Sequence, residues 1–390
     1  MLSLATTVTG LLCLGTLIAA QSPTGNQTNT NTNTNTITGL PASLYVDNAP
    51  DHLRPYVIRQ YATAQSTVLR GEVFRFYITG PSSNNAFTLV TVNAPQNAVL
   101  NVLPHIHERH FENFYNYKGR FQLWAQGEDN TTQETRVLTQ GDFGAVVRNS
   151  THTFQMMDPD SQMGGAIVPG GFEAVFFAIG KNRSSTTHTP YDPHFASETY
   201  PLGSSNSTMS GEQSFDVYNQ PQFTPRRDAL NGTAPANTTW HDGPNALAPF
   251  GQPYFIANGF GPKFINNETG YQIIQPLVTA EQSGDLNFTT STISLSTTPE
   301  NVTIPTWQIR ETVALQVLEG MLWVQIAEYD VAVMTVGDVA LVPGGVQFRY
   351  WTETWFAKMM VLCQGSNGVD SQLIARGGSY DAVVFPNEWV

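Results

Sequence analysis

His105 and His107 stand one residue apart in Pro104-His105-Ile106-His107-Glu108-Arg109-His110-Phe111-Glu112, and Gly119 closes the stretch. Side chains alternate along an extended strand, so both imidazoles project from one face. Glu112 sits at an odd offset from His107, and a continuous strand would turn it to the opposite face. A bend or a change of strand between them would bring it back, and Gly119 supplies the next turn. A further imidazole, His152, follows Gly141 in Gln140-Gly141-Asp142 … Asn149-Ser150-Thr151-His152. Three imidazoles and one carboxylate suit a first-row transition metal, with room for substrate or O2 if one position stays open. His110 has no place in this set and reads as solvent-facing or as a support for the ligands. A lone His-x-His is common in ordinary cores; four such residues at these spacings in a β-rich chain point to a metal site.

The elements that must position these residues are short strands. Val73–Ile78, Phe87–Val92, Phe121–Ala125, Thr135–Leu138, Gly144–Val147, His152–Met156 and Ala174–Ile179 are apolar or alternating runs broken by Gly, Pro and Asn. This pattern predicts an all-β chain of sandwich or jelly-roll type, and no long helical periodicity interrupts it. Residues 184–245 change character, with Pro190, Pro193, Pro201, Pro221, Pro225 and Pro235 in a polar background. They read as a long linker draped over and ordered by the domains on either side, 41–183 and 246–390.

The spacings resemble the two motifs of the cupin superfamily. The first is matched by His105, His107, Glu112 and Gly119, the second by Gly141 and His152, although Val147 and Asn149 stand where that motif carries Pro and Gly. Asp47–Arg59 and Ile167–Glu173 are in turn similar to fungal quercetin 2,3-dioxygenases, and the likeness runs from about Leu44 to the C-terminus. The resemblance implies two jelly-roll (double-stranded β-helix) cupin domains and one copper ion per chain, bound by His105, His107 and His152. Glu112 would be a ligand or the catalytic base that takes the 3-hydroxyl proton of a flavonol. O2 would then open the flavonol ring with loss of carbon monoxide, leaving a depside. A flat polyphenol needs an apolar slot; resemblance and closeness to the ligands nominate Phe87, Phe114, Phe154, Met163, Ile167 and Phe176. Phe114 and Phe154 lie two residues beyond Glu112 and His152, so each shares a strand face with a ligand. Phe74 stands where relatives would place a tyrosine, which removes a hydroxyl from the metal surroundings.

The second β-rich unit repeats the first. Glu319-Gly320 parallels Lys118-Gly119, and Gly337-Asp338 parallels Gly141-Asp142. Counting back from Gly320, the ligand positions fall on Thr306, Gln308 and Val313, and the last on Phe348. Such residues bind metal poorly or not at all, so this unit reads as structural.

An apolar run from Leu11 to Ala20 reads as a secretory signal peptide over residues 1–20. Thr6, Thr7 and Gly10 leave it too short to span a bilayer well. Residues 21–40 contain an Asn-Thr repeat and read as a disordered stalk. Sequons begin at Asn26, Asn130, Asn149, Asn182, Asn206, Asn231, Asn237, Asn267, Asn287 and Asn301, which fits a secreted, extracellular glycoprotein. A glycan on Asn149 would have to project away from the metal. Beyond Cys13 only Cys363 remains, so the mature chain can form no internal disulfide, and Cys363 reads as a buried small hydrophobe. The net charge of −13, with no basic cluster, disfavours nucleic acid and anionic membrane as partners. A homodimer is left open by the sequence. The same ligand set also serves manganese oxalate oxidases and decarboxylases, and a storage cupin would need no open metal position. The aromatics near the ligands favour a flavonoid over oxalate.

Overall fold

Short apolar runs punctuated by turn residues cannot sustain long helices, and the chain builds two barrels of antiparallel strands. The computed structural model describes residues 43–60, 65–69, 71–128, 132–183 and 211–387. The expected signal peptide and stalk, the first part of the linker, and Asn26, Asn130 and Asn206 lie outside the described residues.

In the first barrel a large sheet includes Glu72–Ile78, Thr88–Ala94, Ser161–Val168, Phe111–Lys118 and Phe143–Val146. It faces a small sheet holding His105–Ile106, Thr151–Met156, Phe121–Gln126 and Glu134–Leu138. The second barrel repeats this plan, with Val313–Glu319 in its large sheet and Trp307–Gln308 paired to Gln347–Trp351 in its small one. The chain is thus a bicupin of two jelly rolls. Each barrel encloses an apolar core, and a third core, with Tyr56, Phe111, Phe143, Phe288 and Leu341, forms where the large sheets pack back to back.

The expected domain limits need one amendment, because the barrels exchange strands. Tyr56–Ile58 pairs with Val339–Val342 of the second barrel, and Tyr254–Ile256 pairs with Phe143–Val146 of the first. The second residue beyond each exchanged strand is clamped by the aspartate after a turn glycine. Gln60 N–H donates to Asp338 Oδ1 at 3.1 Å, and Asn258 N–H donates to Asp142 Oδ1 at 2.8 Å. Those glycines are required. At Gly141 and Gly337 φ is +87°, and a Cβ would come within 2.5 Å of Asn258 and 2.3 Å of Gln60.

Two elements depart from expectation. Residues 174–179 belong to a helix, Glu173–Ile179, rather than a strand. Its run of apolar residues cannot separate the two states by periodicity; burial of the Glu173 carboxylate against Gly80 N–H at 2.7 Å pins the helix start. Ser161–Val168 forms an eight-residue strand that Gly164 and Gly165 conceal in the sequence. A Cβ at Gly164 would lie 2.2 Å from the Val90 carbonyl oxygen, and one at Gly165 would lie 2.1 Å from that of Asn113.

The described part of the linker, 211–245, lies along the first barrel. Tyr218–Asn219 pairs with His105–Ile106, and Trp124 Nε1–H donates to the Arg226 carbonyl at 2.7 Å. Cys363 is buried and free, and burial raises its thiol pKa, so it is a packing residue.

Candidate metal centre

His105 and His152 are direct cross-strand partners in the small sheet, whereas Glu112 belongs to Phe111–Lys118 in the large one. The turn through 107–110 carries the chain from one sheet to the other, which is how an odd offset still aims Glu112 at the imidazoles. One ligand atom from each of His105, His107, Glu112 and His152 lies within 4.8 Å of the others, and all four residues are buried. His107 Nε2 is 3.4 Å from Glu112 Oε1, and His152 Nε2 is 3.1 Å from Glu112 Oε2.

The other ring nitrogens face backbone carbonyls. His105 Nδ1 meets Leu103 O at 2.8 Å, His107 Nδ1 meets Asp216 O at 2.6 Å, and His152 Nδ1 meets Ser150 O at 3.0 Å. A carbonyl only accepts, so each Nδ1 carries a proton, and each Nε2, once it has given up any proton shared with Glu112, can present a lone pair to a metal. Burial, reinforced by the two neighbouring imidazoles, holds the His105 pKa well below its usual value, which keeps that ring neutral. Burial raises the Glu112 pKa, but His107 and His152 outweigh it and hold the carboxyl well below the usual range. His107 Nε2 is buried and makes no hydrogen bond of good geometry, its neighbour being a Glu112 carboxylate oxygen 3.4 Å away. Three inward imidazole nitrogens and an ionised carboxylate fit a first-row divalent ion.

His110 is buried rather than solvent-facing, and its Nδ1 meets the Asp216 carboxylate at 2.6 Å, so the supporting reading of this residue stands. Asp216 itself could not be found from local spacing, because it comes from the linker, far along the chain.

An apolar cavity opens onto the centre. Phe114, Phe154, Met163, Ile167 and Phe176 line it together with His105, Glu112 and His152, as does Phe74, whose ring packs 4.4 Å from that of Phe176. Phe87 does not: it is fully buried in the core between the barrels. The reason is parity. Val90 and Val92 face the cavity, so Phe87 and Leu89 face the other barrel. The same alternation would have nominated Val90 and Val92. Phe172 and Val175, which also line it, come from the helix Glu173–Ile179 and the residue before it. Among the described residues no Lys or Arg lines the cavity.

The second barrel's ligand positions need a correction. His105 pairs with His152 as Trp307 pairs with Phe348. Asn149 N–H donates to the His107 carbonyl as Gly345 N–H donates to that of Ile309, both at 2.7 Å. The equivalents of His105 and His107 are therefore Trp307 and Ile309, not Thr306 and Gln308; the intervening loop is one residue shorter. With Val313 and Phe348 they make an apolar set inside that barrel's core. Elemental analysis of the purified chain is expected to give one tightly bound metal per chain; two would contradict this assignment.

No protein-family model matches the chain. It is 54% identical over 349 residues to the quercetin 2,3-dioxygenase of Aspergillus japonicus, covering 89% of this chain and 99% of that protein. A quercetin 2,3-dioxygenase of Bacillus subtilis is 26% identical over 145 residues, 37% of this chain and 38% of that one. Among solved structures, oxalate decarboxylase of Lactobacillus farciminis aligns at a TM-score of 0.47 and 10% identity, covering 77% of this chain and 84% of that one.

Proposed function

The chain belongs to the quercetin 2,3-dioxygenase family, and from that premise we propose that it opens the flavonol ring of quercetin with O2 at a single metal centre, releasing carbon monoxide and a depside. The observation that carries this reading is the cavity: aromatic and aliphatic walls converge on three imidazole nitrogens and one ionised carboxylate. A flat polyphenol matches such walls.

His105, His107 and His152 would hold the metal, which we assign as copper. When bound, it lowers the pKa of the flavonol 3-hydroxyl. Glu112, ionised and facing the same point, accepts the 3-hydroxyl proton on a carboxylate oxygen. The deprotonated flavonol is then electron-rich at C2, where O2 adds; closure onto C4 and collapse expel carbon monoxide. Phe114 and Phe154, with ring centroids 6.2 Å apart, flank the ligands and exclude water. The protein would work outside the cell as a glycoprotein. Asn182, Asn231, Asn237, Asn267, Asn287 and Asn301 are exposed, which suits sequon use, and half-buried Asn149 donates to Glu128 at 3.2 Å.

Binding can be tested apart from turnover. Quercetin added without O2 to the copper-loaded chain is expected to shift its absorption to that of the deprotonated flavonol. A spectrum equal to that of free quercetin would contradict the reading.

A further inference from the structure

Of the three imidazoles, two are oriented by their own barrel. His105 and His152 bind carbonyls two residues away along the chain, at Leu103 and Ser150. His107 is different: its Nδ1 is held by the carbonyl of Asp216, from the segment that joins the barrels. Asp216 is fully buried, with φ at +69°, in the left-handed region where few residues other than glycine settle. Its carboxylate accepts three successive backbone N–H groups, from Glu108 at 3.1 Å, Arg109 at 2.9 Å and His110 at 3.1 Å. It also meets His110 Nδ1 at 2.6 Å, and Arg109 Nε lies 3.5 Å away. The Phe172 ring stands edge-on to both His107 and His110, at 4.8 and 4.9 Å between centroids.

We propose that Asp216 is a positioning residue for the metal centre, its carboxylate shaping the turn at 107–110 while its carbonyl directs His107 Nε2 inward. This rests on the reading of the four-residue cluster as a metal site. One buried residue thus determines both the backbone that carries His107 and the tautomer of its ring. The linker is consequently a working part of the centre, and His110 is the side-chain donor that completes the carboxylate's shell. A buried carboxylate is tolerated only when such donors surround it.

The probe is Cu(II) alone, titrated into the metal-free full chain. Asp216→Asn keeps the size and the backbone carbonyl but turns one acceptor oxygen into a donor facing N–H groups. It is expected to weaken Cu(II) binding by about 10- to 100-fold, the range for losing a group that orients a ligand. The Cu(II) electron paramagnetic resonance spectrum should change with it. His110→Ala removes one donor and is expected to weaken binding in the same direction. His110→Asn, whose amide nitrogen can stand near the lost Nδ1, should restore affinity and spectrum. Asp216→Asn with the affinity and spectrum of the parent chain would overturn the proposal. If that variant fails to fold, His110→Ala with parental binding would overturn it, as would His110→Asn no better than His110→Ala. A parent chain that binds no Cu(II) would also overturn it. None of these readouts uses quercetin, so a chain that binds Cu(II) normally yet leaves quercetin intact would count against the proposed reaction only.

Discussion

Glu112→Gln is expected to lower kcat by about 100- to 10,000-fold, the usual contribution of a positioned general base, while the chain keeps its metal. The two effects separate because different groups supply them. His105, His107 and His152 each present a buried Nε2 with the opposite nitrogen tied to a carbonyl, so the imidazole set survives the substitution. The glutamine amide fills the same space, but it cannot take up the 3-hydroxyl proton. The native carboxyl is ionised because the His107 and His152 rings outweigh its burial, so the base form is present before substrate arrives. Metal content and turnover measured on one preparation check this. Near-native turnover would mean that another group is the base; loss of metal in proportion to activity would make Glu112 chiefly a ligand.

Much of this centre was legible from spacing, because the physics involved is local. Period-2 alternation puts His105 and His107 on one face, and it also places Phe114 beside Glu112 and Phe154 beside His152. The odd offset to Glu112 called for a strand change, and the turn at 107–110 provides it. Likeness to relatives points Phe87 at the cavity, whereas strand parity turns it, with Leu89, toward the other barrel. The helix Glu173–Ile179 escaped because seven residues of mixed apolar character carry no decisive period. In the second barrel a one-residue shortening of the loop between Ile309 and Val313 shifted the inferred positions, which only strand pairing reveals. The strand exchange and the grip of Asp216 on His107 join residues far apart in the chain, and no local pattern encodes such pairs.

The ligand set alone does not choose a substrate, since oxalate-active cupins are expected to share it; the cavity does. Its described walls carry Phe114, Phe154, Met163, Ile167 and Phe176 and no Lys or Arg. Burying apolar ring surface there gains roughly 25 cal/mol per Å². A small dianion would instead lose its hydration beside Glu72, Glu112 and Glu212, at a cost on the order of several kcal/mol for each charge left without a cation. The most direct measurement is therefore the headspace gas above the purified, metal-replete chain supplied with O2 and one substrate at a time. Carbon monoxide released in step with quercetin consumption, with oxalate left intact, is the predicted result. Carbon dioxide from oxalate, with no carbon monoxide from quercetin, would contradict it.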